Sequence, residues 1–123
     1  MEMIMGDQRA DKRYEMELEL QYRIIRGHRV VQQGYGRTIT MSRGGLAFTT
    51  ERQLPIGCAI ELAIEWPIPL YGRYPLQLRM MGHVVRNVRG VAAVRTTWHE
   101  FLRLDTVAEH RPEVRDAEVA LVM

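Results

Sequence analysis

Between Met16 and Ile24 the chain alternates strictly, with Met16, Leu18, Leu20, Tyr22 and Ile24 on one side and Glu17, Glu19, Gln21 and Arg23 on the other. A period of two belongs to an extended strand, whose successive side chains point to opposite faces; a helix would scatter these apolar residues around its circumference. The segment is therefore a strand with one wet face, and other strands must cover its apolar side. Gly27-His28 then reads as a turn, and Gly34 to Met41 as a second strand whose early glycines allow a bulge or strong bend. The two predict an antiparallel hairpin. A third, short strand follows at Leu46 to Thr50, rich in apolar and β-branched residues.

Beyond the Pro55-Ile56-Gly57 punctuation, Cys58, Ile60, Leu62 and Ile64 alternate with Ala59, Glu61, Ala63 and Glu65 up to Trp66, which predicts a fourth strand. Pro67 to Pro75 carries three prolines and a glycine and reads as a loop, because proline cannot donate to a ladder. Leu76 to Arg86 and Val91 to Trp98 make a fifth and a sixth strand around the turn signal Asn87 to Gly90. Residues His99 to Leu104 fit either a short helical turn or a strand end. A tail from Thr106 to Met123 contains Pro112 and a candidate helix at Glu113 to Leu121. Six short strands joined mainly by turns predict an all-β fold, a six-stranded antiparallel β-barrel or sandwich, since closure hides edges that would otherwise invite aggregation. The expected division is a flexible leader at 1–13, the β-barrel at 14–104 and a tail, helical in part, at 105–123.

A length of 123 residues suits one domain with a single core. Cys58 is the only cysteine, and the four histidines are scattered without a helical zinc spacing, so neither a disulfide nor a metal centre is expected. No apolar run approaches the roughly 20 residues that span a bilayer, and MEMIMGDQRADKR lacks the layout of a secretory signal. The expectation is a cytoplasmic chain with no membrane insertion. The net charge is +2, and sixteen of seventeen basic residues are arginine. Arginine offers a planar fork that grips phosphate at two points and stacks on bases, which lysine does not. The modest net charge, without a long basic run, argues against DNA binding by counterion release.

Two features carry chemistry. Arg9 and Arg13, within RADKR just ahead of the first strand, are four residues apart on the leader and can close on an anion. The turn Thr40-Met41-Ser42-Arg43-Gly44-Gly45 joins the second and third strands, and its glycines let backbone N–H groups approach a ligand. Glu15, Glu17 and Glu19 read as the solvated face of the first strand rather than as catalytic carboxylates. Trp66 and Trp98 end strands and either close the core or stack on a base. Cys58 reads as a buried thiol, and His83 as structural or exposed. No nucleophile–base pair or metal set suggests an enzyme.

The two features together resemble the PilZ family, whose signature is RxxxR ahead of the first barrel strand and [D/N]xSxxG at a strand end. The likeness extends through the GGLAFTT strand, Leu54-Pro55-Ile56-Gly57 and Gly82-His83-Val84-Val85-Arg86, roughly residues 9 to 98. It implies a six-stranded barrel that binds cyclic di-GMP, without a further cofactor, and signals to a partner protein as the leader folds over the nucleotide; a monomer or weak homodimer is expected. Carried over residue by residue, Arg9 and Arg13 would clamp phosphates and meet guanine, Ser42 would bond a phosphate or base edge, and Gly44 and Gly45 would permit close approach. Arg43 would assist within the turn, and Trp98 would be a stacking residue. The family has Asp or Asn where this chain has Thr40, and that side chain reads the guanine edge. Losing one charge-assisted bond costs on the order of 1.5–3 kcal/mol, or roughly ten- to a hundredfold in affinity. The alternative implied is therefore a PilZ adaptor that binds no nucleotide and works by protein contacts in pilus or motility machinery.

Overall fold

The structure is a computed structural model that describes residues 12–104. Its first strand is broken in two. Strands β1 (Tyr14–Glu15) and β2 (Glu19–Arg26) both pair antiparallel with the long β3 (Arg29–Ser42). The buried side chain of Thr38 bridges the break. Its hydroxyl accepts a hydrogen bond from the Leu18 N–H at 2.8 Å and donates one to the Met16 carbonyl. The backbone completes the seam, with the Thr38 N–H donating to Leu18 at 2.9 Å and the Met16 N–H to Ile39 at 3.2 Å. Thr38→Val keeps the shape and strands both backbone partners, so it is expected to cost about 1–3 kcal/mol. A lower urea midpoint at unchanged slope is the measurement.

Strands β4 (Gly45–Thr50), β5 (Ala59–Leu70), β6 (Tyr74–Val88) and β7 (Val91–Arg103) complete one antiparallel sheet of order β1-β3-β2-β5-β6-β7-β4. β4 pairs back on β3, so the sheet rings round. The alternating apolar residues point inward, as the period of two requires. Tyr22, Ile24, Phe48, Ile60, Leu62, Ile64 and Val84 are fully buried, with the Tyr22 and Phe48 rings 5.8 Å apart. On the outside, Arg23 is opposite Glu61 across β2 and β5, and Arg79 is opposite Glu100 across β6 and β7, the two pairs offset by two residues along the β5–β6 ladder. Partial burial lowers the Arg23 guanidinium from its usual value to about 10, with Glu61 opposing that shift and Arg79 adding to it. It therefore stays charged at neutral pH.

The expected strands are present, but there are seven of them and several run longer. β3 starts at Arg29 rather than Gly34, because β2 supplies partners as far as Arg26. The proline segment is not a loop: β5 runs to Leu70, β6 begins at Tyr74, and only Tyr71-Gly72-Arg73 turns. Pairing of β5 with β2 ends at Leu20 opposite Ile64, so Pro67 and Pro69 lie past that neighbour, in an irregular stretch where no ladder bond is lost. Residues 99–103 are strand, because β6 offers them a partner up to Leu76 opposite Arg103. The β6–β7 turn narrows to Arg89-Gly90, both at positive φ (54° and 79°), as a tight hairpin turn demands. Residues 1–11 of the leader expected at 1–13, and the candidate tail helix, lie outside the described residues. Among the described residues no helix is long and apolar enough to cross a membrane.

Candidate functional site

The β1–β3 register sets Tyr14 opposite Met41 and Glu15 opposite Thr40. Arg13 immediately precedes Tyr14 in the chain, and Ser42 immediately follows Met41. Two motifs about thirty residues apart thus meet at one end of the sheet. Tyr14, though 54 % exposed, lines the same cleft as Met41, so Glu15 and Thr40 take the opposite, outward face. The face continues across β4 and β7: Ser42 pairs with Gly45 and Gly45 with Arg95, while Thr40 pairs with Ala47 and Ala47 with Ala93. On β6, His83 lies opposite Arg95 and Arg86 opposite Ala93. The result is a floor of small residues, Gly45, Ala47 and Ala93, between Arg13 and Glu15 on one side and Arg86 and Arg95 on the other. Such a floor suits a flat anionic ligand, since guanidinium groups grip phosphate while nothing bulky rises between them.

The turn itself is tied down. The Ser42 hydroxyl donates to the Gly45 carbonyl at 3.4 Å, and the Thr96 N–H donates to the Gly44 carbonyl at 3.0 Å. A Cβ on Gly45 would stand 2.3 Å from the Val94 carbonyl oxygen, and one on Gly82 would stand 2.1 Å from that of Arg95. The close approach that Gly45 permits is thus first of all that of strand β7. Trp98 is 45 % exposed and lies outward opposite Met81, one row beyond Arg95 and His83. Arg9 lies outside the described residues.

Behind the turn, on the inner side, a mostly apolar cleft of about 180 Å³ opens between Tyr14 and Met16, Met41 to Arg43, and the extended ends of β5, β6 and β7. Trp66 and Phe101 pack edge to face in its wall, with centroids 5.1 Å apart, and His99 completes it. Arg43 lines this cleft, and Ser42 borders both surfaces. Beside it, the Arg103 guanidinium lies 4.0 Å from the Tyr74 ring centroid.

Sequence reasoning missed Glu15 and Arg95 as members of the outer face, and Tyr14, Trp66, His99 and Phe101 as members of the cleft. The alternation of His99, Phe101 and Arg103 against Trp98, Glu100 and Leu102 was the available signal for the cleft. Glu15 and Arg95 carry none, because only strand register tells which residues of distant segments are neighbours. Among the described residues no group of three or more His, Cys, Asp or Glu side chains could hold a metal ion. The chain matches no family model and no curated protein.

Proposed function

We propose that this chain is a PilZ-like barrel, with β1 and β2 as the two halves of one broken strand, that binds cyclic di-GMP on the outer face around Arg13, Thr40, Ser42 and Gly45, with Arg9 closing from the leader. The observation that supports the proposal is the β1–β3 register, which pairs Tyr14 with Met41 at the end of the sheet where Arg13 precedes the one and Ser42 follows the other. Further support comes from the small-residue floor and from Arg95, a second cation across it. Binding orders the leader, and the altered surface signals to a partner protein; the ordering entropy lost on binding makes the leader a switch rather than a rigid part. The test is a calorimetric titration with cyclic di-GMP alongside amide spectra. Saturable heat with shifts confined to residues 8–15, 40–47 and 93–98 is the expected result; no heat and an unmoved spectrum at millimolar nucleotide would leave the adaptor reading, which Thr40 favours.

A further inference from the structure

Thr40 stands where a side chain able to accept from both guanine N–H groups is wanted, and its single hydroxyl is a poor substitute. The register supplies one from the neighbouring strand. Glu15 is directly opposite Thr40 on the same face. Directly opposed residues hold their Cβ atoms about 4.5–5.5 Å apart. A glutamate is one methylene longer than aspartate, so its carboxylate can sweep over the hydroxyl of Thr40 towards the floor at Ala47. Of the residues that bound that floor, Arg13, Thr40, Ser42, Arg86 and Arg95 are cationic or neutral, and Glu15 is the carboxylate. Glu17 lies in the break between β1 and β2, and Glu19 beyond it is engaged by Arg37 at 2.7 Å. An isolated carboxylate beside arginines on a phosphate-gripping face would repel the phosphates unless it had a donor-rich group of the ligand to meet. Guanine offers that group, two adjacent N–H donors at N1 and N2, whereas adenine presents an acceptor at N1.

We infer that Glu15 reads the guanine edge of the bound nucleotide, carrying from β1 the role that Thr40 on β3 cannot fill. The inference rests on the cyclic di-GMP proposal above. In it Glu15 and Arg13, two residues before it in the chain, act as a unit, the cation holding a phosphate and the anion selecting the base. Thr40 is then a spacer whose small side chain leaves the carboxylate room.

The experiment compares the full chain with Glu15→Gln for binding of cyclic di-GMP, cyclic di-IMP and cyclic di-AMP by calorimetry. Glu15 is exposed, so the variant should melt with the parent. The parent should prefer cyclic di-GMP, and Glu15→Gln should bind it at least tenfold more weakly while losing less for cyclic di-IMP, which lacks the N2 amino group. The variant's discrimination between guanine and adenine should shrink by a similar factor. Moving the carboxylate back, in Glu15→Gln with Thr40→Asp, should restore affinity. If the parent binds cyclic di-GMP and Glu15→Gln binds it equally well, Glu15 is not the reader and the sensor proposal survives. If the parent binds none of the three, both fall together.

Discussion

Gly45→Ala should lower the melting temperature by on the order of 15 °C, the equivalent of about 3 kcal/mol for a domain of this size. The added methyl would stand 2.3 Å from the Val94 carbonyl oxygen, well inside contact distance. That oxygen belongs to the backbone of β7, which is held on its other side by β6, so it cannot yield as the end of a long side chain would. Gly82→Ala should behave alike, since its methyl would meet the Arg95 carbonyl at 2.1 Å. Thermal melts of the two variants with the parent are sufficient. An unchanged melt for Gly45→Ala, with weakened nucleotide binding, would instead give the glycine to the ligand and show that β4 and β7 can separate at little cost.

Arg13→Ala should have the opposite signature. The side chain is exposed and packs in no core, so stability should hardly change. Affinity for cyclic di-GMP should fall ten- to a hundredfold, because a guanidinium bonded to phosphate contributes on the order of 1.5–3 kcal/mol. Arg13→Lys should recover only part of the loss, since a single ammonium keeps the charge without the two-point fork. Raising the salt should weaken the parent more steeply than Arg13→Ala, one phosphate contact having gone. Equal affinities for parent and Arg13→Ala would remove the leader from the site. The pair of results would separate two roles for residues that the motif groups together, a Gly45 that holds the strands and an Arg13 proposed to hold the ligand.

Strand identity was legible because burial on one face writes a period of two into the residues. Leu20, Tyr22 and Ile24, or Ile60, Leu62 and Ile64, announce both that they are strand and which side is inside, and the structure buries all six. The tight turn at Arg89-Gly90 was legible for a local reason too, as glycine supplies the positive φ it needs. Local pattern was less informative where the partner strand decides. Prolines at 67 and 69 argue for a loop in isolation, yet they are harmless in a strand whose neighbour has already ended. Residues 99–103 become strand because β6 is there to pair with them. Met16 to Leu18 continue the alternation perfectly and still break the ladder, since the Thr38 hydroxyl takes over their backbone bonds.

The chain's pattern alone determined an all-β sheet and its inward residues, and it singled out two short stretches, Arg9 to Arg13 and Thr40 to Gly45, as candidates for chemistry. Tertiary structure decided which residues stand side by side: Tyr14 with Met41, Glu15 with Thr40, and Arg95 across Gly45 from Ser42. Alternation is a one-dimensional record of burial: it fixes the face each residue takes but not which residues of distant strands come opposite, and that is set only when those strands pair and bring their backbones within about 5 Å.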